Sequence, residues 1–290
     1  MFDTVIMVDW SGGNDRGPTP KKDAIWAGVV RHGVSAAPVY LRNRGLAEGW
    51  IGDQLETALS MGLRVCIGFD FVFAYPAGFA ERLTGTGDPL DLWDWFESRV
   101  QDAPRRNTRF DLAGQINSQF PGIGPFWFNG LKRDIYHLPR KGNARDFRWT
   151  PARRQTELKA TGSFECWQLA GAGAVGSQII MGLPVLARLR RRFAGQIAVW
   201  PLEVMGAPIT LIEIWPSLIA TAVVAATRPG EIRDAAQVKV LAAAIASLPP
   251  VTLSRIFARP ATAEGWIFGV GHETDLAQAA ALAVAGAVQA

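Results

Sequence analysis

The first 70 residues alternate short apolar runs with turns in an order that few folds can accommodate. Residues 4–9, 24–30 and 39–41 are predicted to form three β-strands, and the short links between them favour antiparallel hairpins. Residues 46–61 carry apolar side chains near helical spacing, and residues 63–69 form a fourth apolar run. Because a helix between two strands normally makes a right-handed crossover, strands one and four are predicted to be parallel neighbours.

This order predicts an α/β protein with a ribonuclease H-like mixed sheet and helices on both faces. A mostly helical and loop insertion is predicted at about 76–195, and core-forming strands lie on both sides of it. The chain is therefore predicted to be one domain, 1–290. Later helices are predicted near 88–100, 109–120, 151–160, 174–193, 216–226, 231–247 and 275–288, with strands at 196–200 and 208–214 and a loop at 121–150.

Acidic residues stand at the ends of three apolar strands. Asp9 closes the first strand, Asp70 closes the fourth, and Glu213 nearly closes the last. An ionised carboxylate beside a buried strand is costly unless it is paired or binds a metal. If the strands are neighbours, the three carboxylates converge, and Mg²⁺ or Mn²⁺ is the cofactor that such oxygen ligands suit.

Asp234 is a possible fourth acidic member of this predicted site, at the start of a helix. The alternative for Asp234 is a structural role, since an acid in the first turn of a helix is favoured by the helix dipole. Each of the other acids taken alone is more simply explained as a cap or turn residue. Their shared position at strand ends is what favours a catalytic and metal-binding site.

Positive charge is concentrated in one segment. Residues 132–154 hold eight basic and two acidic residues, a balance of +6, so with a net charge of +4 the rest of the chain sums to −2. Aromatic side chains such as Trp127 and Trp149 lie nearby and could stack on bases. We predict nucleic acid, DNA or RNA, as the partner; the alternative is a solvated loop. The predicted contacts are Lys132, Arg133, Arg140, Lys141, Arg145, Arg148, Arg153, Arg154, Trp127 and Trp149.

Two segments of the chain resemble phosphate-binding patterns of other enzyme classes. Residues 171–176 match a dinucleotide-binding fingerprint, but the preceding run is a poor core strand and no acid follows at the expected distance. Close packing of a glycine-rich segment explains it better. Residues 9–13 are similar to the phosphate loop of actin-like and sugar-kinase ATPases. That alternative requires a second such loop, which the sequence does not contain.

Membrane insertion and secretion are not expected. The uncharged stretch between Glu165 and Arg188 is interrupted by glycines, Gln168, Gln178 and Pro184, which favours a buried segment. The start of the chain lacks a basic leader followed by an apolar run. Two cysteines provide neither a disulfide framework nor a zinc site. These features predict a cytoplasmic protein, and they leave its oligomeric state open.

Five short motifs, in order along nearly the whole chain, resemble those of the uncharacterised family numbered 429 among domains of unknown function, which is predicted to contain ribonuclease H-like nucleases. The resemblance implies that Asp9, Asp70 and Glu213 are metal-binding acids. The family's late helix often has two acids; Asp234 matches the first, and Gln237 replaces the second. The motifs are Val8-Asp9-Trp10-Ser11-Gly12, Ile67-Gly68-Phe69-Asp70-Phe71 with Tyr75-Pro76, Gly176-Ser177-Gln178 through Leu183-Pro184-Val185-Leu186, Ile212-Glu213-Ile214-Trp215-Pro216-Ser217 and Glu264-Gly265-Trp266-Ile267.

These patterns together predict a metal-dependent phosphoryl-transfer or hydrolysis enzyme, foremost a nuclease. Gln237 keeps open a non-catalytic nucleic-acid-binding protein of the same fold. The third alternative is a small-molecule enzyme, either an actin-like ATPase or kinase or a protein of molybdenum-cofactor or cobalamin biosynthesis. Some relatives carry the latter labels, although no residue of this chain argues for them.

Overall fold

A computed structural model describes residues 1–103 and 106–289, and the chain divides into two compact units. Unit 1 contains Met1–Asp70, Arg192–Ala261 and the C-terminal part of the chain from Trp266. Unit 2 contains Phe71–Arg191 together with Thr262–Gly265. Unit 2 covers most of the insertion predicted at about 76–195.

The structure is a mixed α/β protein, in agreement with the predicted class. The strands are β1 Thr4–Asp9, β2 Ile25–Arg31, β3 Val34–Ser35, β4 Val39–Leu41, β5 Val65–Phe69, β6 Asp102–Ala103, β7 Arg106–Asn107, β8 Ile197–Val199 and β9 Ile209–Glu213. The α-helices are α1 Arg44–Ser60, α2 Phe79–Thr84, α3 Asp91–Glu97, α4 Arg109–Asn117, α5 Gln155–Lys159, α6 Gly176–Arg192, α7 Ala220–Ala226, α8 Arg233–Ser247, α9 Pro250–Phe257 and α10 Glu273–Gln289, and a 3₁₀ turn covers Pro216–Ile219.

Unit 1 is built on one sheet with the strand order β3-β2-β1-β5-β9-β8. β2 runs antiparallel to β1, while β5, β9 and β8 follow β1 in parallel. The predicted parallel pairing of the first and fourth strands is therefore confirmed. The predicted third strand, 39–41, is β4, and the unpredicted strand β3 is a second short piece that pairs with β2 beside it. Pro38 lies between the pieces and has no amide N–H to donate to β2.

The central strands are buried on both faces, as the apolar runs of β1, β5 and β9 predict. On one face α8 lies directly against β2. A Cβ atom added to Gly28 would lie 2.3 Å from the carbonyl oxygen of Val238, so only glycine permits this approach. Trp26, on the same face of β2, packs with Ala235 and Val238 of α8. This close contact fixes the position of the first turns of α8 over the sheet.

Helix α1 returns the chain from β4 to β5. It begins at Asn43, whose side chain accepts a hydrogen bond from the amide of Leu46. Ala47, Ile51 and Leu55 are spaced four residues apart and fully buried, which gives the helix one apolar face. The crossover brings the ends of β1 and β5 to the same edge of the sheet.

Unit 2 has an aromatic core, and its sheet among the described residues is the short antiparallel pair of β6 and β7. Tyr75, Phe79, Phe126 and Trp167 are buried, and the centroids of their rings lie 4.3–6.0 Å apart. These contacts need no long regular elements, which agrees with the short helices of this unit. The predicted loop at 121–150 supplies Phe126 to this core.

Several elements of the structure were absent from the prediction. Helices α2 and α9 span 6 and 8 residues, too short for a helical period to stand out. The predicted helix at 88–100 is confined to α3, which ends at Glu97. The glycine-rich residues 171–176 lead into α6, and a Cβ atom on Gly176 would lie 2.8 Å from two backbone carbonyl oxygens. This agrees with the prediction of close packing there.

Within the described residues, no single helix is both long enough and apolar enough to cross a membrane. Helices α8 and α9 meet the length and hydropathy of a span only when they are joined across a bend of 102°.

Candidate acidic site

Two carboxyl groups meet where β1 and β5 end side by side. Val8 is the register partner of Phe69, so the next residues, Asp9 and Asp70, stand next to each other on one face of the sheet. Their carboxyl groups share a hydrogen bond. The amide of Trp10 donates to Oδ1 of Asp70 over 2.5 Å, and the amide of Asp70 donates to the carbonyl oxygen of Val8. The backbone thus holds the two groups in contact.

Burial among protein atoms raises the pKa of both carboxyl groups. The pKa of Asp9 lies well above its ordinary value, first because of desolvation and then because of the charge of Asp70. Desolvation also raises the pKa of Asp70 to about 7, although the hydrogen bond from Trp10 opposes the rise. Two carboxylates in contact repel each other when both are ionised, so the pair retains a proton more readily than free aspartates do.

Two more acids surround this pair. Asp234, in the first turn of α8, accepts a hydrogen bond from the amide of Asp23 over 2.8 Å. Partial burial raises the pKa of Asp234, and the nearby charge of Asp23 adds to the effect. The charges of Asp234 and Asp23 in turn raise the pKa of Asp9. The structure therefore brings Asp9, Asp70 and Asp234 together in one acidic site, as the sequence predicted for these three residues.

Gln237 lies one helical turn after Asp234 and reaches the same site. Its amide nitrogen Nε2 donates to Oδ2 of Asp9 over 3.0 Å. This neutral amide leaves the charge of Asp9 uncompensated but fixes the orientation of its carboxyl group. Both helical residues depend on the close contact of α8 with Gly28, because that contact sets the distance from the helix to β1.

Glu213 does not join the site, which corrects the prediction that three strand ends supply three ligands. Its register partner is Phe69, whose own partner is Val8, so these side chains leave the sheet on the face opposite to Asp9. Glu213 is 3% exposed, and its carbonyl oxygen accepts from the amide of Phe268. Successive side chains of a strand project to opposite faces of the sheet, so a shift of one position along the strand is enough to remove a side chain from the site.

The donor set suits a hard divalent cation in part. Asp9 and Asp70 provide two carboxyl groups in contact. Their pKa values are raised chiefly by desolvation, with a contribution from neighbouring acids, and a bound cation would offset the cost of ionising them. No three His, Cys, Asp or Glu side chains in the described ranges lie close enough together to hold a metal ion between them. The fit is therefore to an ion held by two carboxylates and completed by water, as Mg²⁺ commonly is.

The loop after β1 is held by an arginine that the sequence analysis did not identify. Nη1 of Arg44 donates to the carbonyl oxygens of Ser11 and Gly13, the first at 2.9 Å. Arg44 itself is 7% exposed. The loop that resembles a phosphate loop thus presents carbonyl oxygens to a buried guanidinium group. Asp23 was also missed, although the start of an antiparallel second strand must lie beside the end of the first.

Comparison with models of known protein families, with curated proteins and with solved structures found no match. The family resemblance therefore rests on the motifs quoted above. Of the acids that it implies, the structure brings Asp9 and Asp70 together and places Glu213 on the other face of the sheet.

Most of the predicted nucleic-acid contacts in unit 2 have other partners. The ion pairs of residues 132–154 include the acids Asp111, Glu157 and Glu165 from outside the segment, so its balance of +6 falls to +3. Arg153 donates to the carbonyl oxygen of Ser163. Lys132 and Lys141 are exposed. The ion pairs are Arg133–Asp111, Arg140–Asp134, Arg145–Glu165, Arg148–Asp146 and Arg154–Glu157.

Three of the predicted contact residues are corrected to structural roles. Arg154 is completely buried, with its ion pair to Glu157, and cannot reach a phosphate. The guanidinium group of Arg145 lies between the rings of Trp127 and Phe147, 5.1 and 4.8 Å from their centroids. The indole nitrogen of Trp127 donates to Glu165. The ring of Trp127 and its N–H group are therefore both engaged in contacts within unit 2. Trp149 is 49% exposed and remains accessible.

Proposed function

We propose that this protein is a metal-dependent enzyme of phosphoryl transfer or phosphate-ester hydrolysis, with a ribonuclease H-like core in unit 1. The strand order supports the fold part of the proposal. Three strands begin the sheet with antiparallel pairings, a helical crossover follows, and β5 then lies parallel to β1. Acids at the carboxyl edge of adjacent parallel strands support the reaction class.

The observation that carries the proposal is the contact between the carboxyl groups of Asp9 and Asp70. Two buried acids in contact destabilise a fold unless a proton or a cation lies between them. A purely structural pair would gain nothing from the additional charge of Asp234 nearby. The arrangement is therefore better explained by a bound divalent cation than by packing.

Each residue of the site has a distinct part in this proposal. Asp9 and Asp70 would hold the ion, and Gln237 orients the carboxyl group of Asp9. When bound, such an ion polarises a phosphoryl oxygen and lowers the pKa of a coordinated water. Asp234, partly exposed with a raised pKa, is suited to accept a proton from water at the edge of the site.

The natural substrate is proposed to be DNA or RNA. The exposed basic residues of the 132–154 segment could meet phosphates, although its three exposed arginines are in ion pairs. They are Lys132, Arg133, Arg140, Lys141 and Arg148. The cytoplasmic location is part of the same proposal, supported by two buried free thiols, Cys66 and Cys166.

A second candidate is a protein of the same fold that binds nucleic acid without turnover. Gln237 favours it, because its amide holds one oxygen of Asp9 in a position where another acid would add a ligand. This candidate predicts binding of nucleic acid with no metal-dependent cleavage. The two candidates therefore differ in one assay, cleavage of labelled DNA and RNA with and without Mn²⁺.

Melting temperature against Mn²⁺ concentration tests the metal site directly. At pH 8, above the pKa of Asp70, an ion at 100 times its dissociation constant should stabilise the wild type by about 2.7 kcal/mol. Asp9→Asn retains the size and shape of the side chain but binds the ion poorly, so its shift should be small. Lowering the pH to 5 should reduce the wild-type shift, because protons then compete for the carboxylates.

Two control variants make this test specific. Asp15→Asn removes an exposed carboxylate, paired with Arg42, and should shift as the wild type does. Glu213→Gln should also keep the shift, since this side chain lies on the other face of the sheet. Equal shifts in wild type and Asp9→Asn would remove the metal site, and with it the proposed chemistry.

A further inference from the structure

Unit 2 contains a polar cleft that is independent of the acidic site. Its volume is about 630 Å³, within the range of small-molecule sites. Eight of its nine lining residues are polar or charged, and Leu112 is the exception. Three of them, Arg99, Arg106 and Arg133, carry positive charge, and Asp111 carries the only negative charge of the lining. The lining therefore has a net charge of +2.

The three guanidinium groups differ in what they already bind. Arg133 makes a two-pronged contact with Asp111, with both Nη2–oxygen distances at 2.7 Å. Arg99 stacks on Trp95, 4.3 Å from the ring centroid, and its hydrogen bonds within the described residues use Nη1 alone. Arg106 is exposed, and its side chain has no hydrogen bond or ion pair within the same part of the chain.

The cleft also receives the start of α4. Thr108 stands just before this helix, and its hydroxyl accepts a hydrogen bond from the amide of Gln101. Because the first amides of a helix have no partner in the helix itself, they add positive potential at this end. Asp111, in the first turn, offsets part of that potential, but it is held by Arg133.

We propose that this cleft binds a phosphate-bearing small anion, with Arg99 and Arg106 as the principal contacts. A guanidinium fork matches two phosphate oxygens at once, and two such groups suit a ligand with adjacent phosphates better than a single carboxylate. The proposal does not depend on the metal site, because every residue it uses belongs to unit 2 and none is an acid of the β1 and β5 ends.

Calorimetric titration of the whole protein with pyrophosphate tests the cleft. The titration is run with EDTA and 150 mM chloride, so that neither metal binding nor general ionic attraction contributes. Pyrophosphate should bind more tightly than inorganic phosphate. Arg106→Gln and Arg99→Gln should each weaken pyrophosphate binding by about tenfold, which corresponds to the loss of about 1.4 kcal/mol from one charge-assisted contact.

Arg64→Gln is the matched control, because it removes one exposed positive charge of unit 1 and should bind pyrophosphate as the wild type does. Melting of each variant without ligand shows that it is folded. If Arg64→Gln weakened pyrophosphate binding equally, the loss would be explained by the lower net charge of the protein, and the proposal would be overturned. Binding of a single-stranded oligonucleotide with none of pyrophosphate would overturn it as well, since the cleft would then serve a polymer.

Discussion

The acidic site of unit 1 and the basic segment of unit 2 treat charge in opposite ways. Asp9, Asp70 and Asp234 lie together without a salt bridge among the described residues, and the pKa of each is raised, although the charge of Arg233 partly offsets the rise at Asp234. In the segment 132–154, five arginines lie in ion pairs. A dense run of one charge in sequence is therefore weaker evidence of a binding surface than a few like charges brought together by the fold.

The largest effect is expected at Arg154, which the sequence predicted to contact nucleic acid and which the structure buries in an ion pair. Arg154→Met should destabilise the protein by roughly 3–5 kcal/mol, because Glu157 would be left buried without its partner. Urea unfolding measures the loss. The matched variant Arg148→Met breaks an exposed pair, with Arg148 76% exposed, and should leave the free energy of unfolding close to that of the wild type. If both variants lost similar amounts of stability, the buried ion pair of Arg154 would contribute no more to the fold than an exposed pair does.

A second test moves one side of the acidic site without touching an acid. Gly28→Ala places a Cβ atom against the backbone of α8 and should destabilise the protein by roughly 1–3 kcal/mol. It should also reduce the Mn²⁺ shift, because α8 carries Asp234 and Gln237. Gly49→Ala, in α1 with open space around it, should instead be neutral or slightly stabilising. A melting-temperature shift equal to that of the wild type in Gly28→Ala would show that the position of α8 does not affect Mn²⁺ binding.

A third test measures the cost of ionising the buried carboxyl group of Asp70, which is chiefly desolvation. Because the pKa of Asp70 is raised to about 7 from an unfolded value near 3.9, ionisation opposes folding. The penalty is absent below about pH 4, grows as the pH rises and is complete above about pH 7. In EDTA at pH 8, Asp70→Asn should therefore be more stable than wild type by about 1–2 kcal/mol. The gain should vanish at pH 4.

The thermal denaturation of Asp70→Asn and wild type across this pH range supplies the comparison. Asn retains an oxygen to accept from the amide of Trp10, so the loop after β1 should keep its shape. If Asp70→Asn were less stable at pH 8, the carboxylate would stabilise the fold through a favourable contact, and burial of its charge would not oppose folding.

The smallest effect is expected from the two exposed lysines of the basic segment. Replacing Lys132 and Lys141 with Gln should leave stability unchanged, since both are exposed. If both contact duplex DNA, the slope of log affinity against log salt should fall by about 1.8, or 0.9 for each contact. An unchanged slope would exclude these lysines as phosphate contacts.

Sequence patterns anticipated the sheet better than the site. The strands β1, β5 and β9 are short apolar runs that end at polar residues, and their bounds were predicted to within about two residues. Asp9 and Asp70 follow from the parallel pairing of β1 and β5. Glu213 does not, because its face depends on a register that can be fixed only once the partner strand is known.

The partners of the basic residues could not be read from spacing. Asp111 lies 22 residues before Arg133, and Glu165 lies 20 residues after Arg145. Such contacts result from the packing of unit 2, which has few long periodic elements to indicate how the chain turns. For the same reason the contact of Trp127 with the guanidinium group of Arg145 could not be predicted.

Part of unit 2 can be completed only after Glu264 has been synthesised, because Glu264 lies far along the chain from the rest of the unit. Its carboxylate oxygens accept hydrogen bonds from the amides of Ala77 and Gln155, each at 2.8 Å. The ribosome releases 71–191 well before 262–265, so these two amides meet their acceptor only near the end of translation. A message truncated between codons 192 and 261 would still encode the long segment of unit 2, yet its product would lack the residue that ties Ala77 to Gln155.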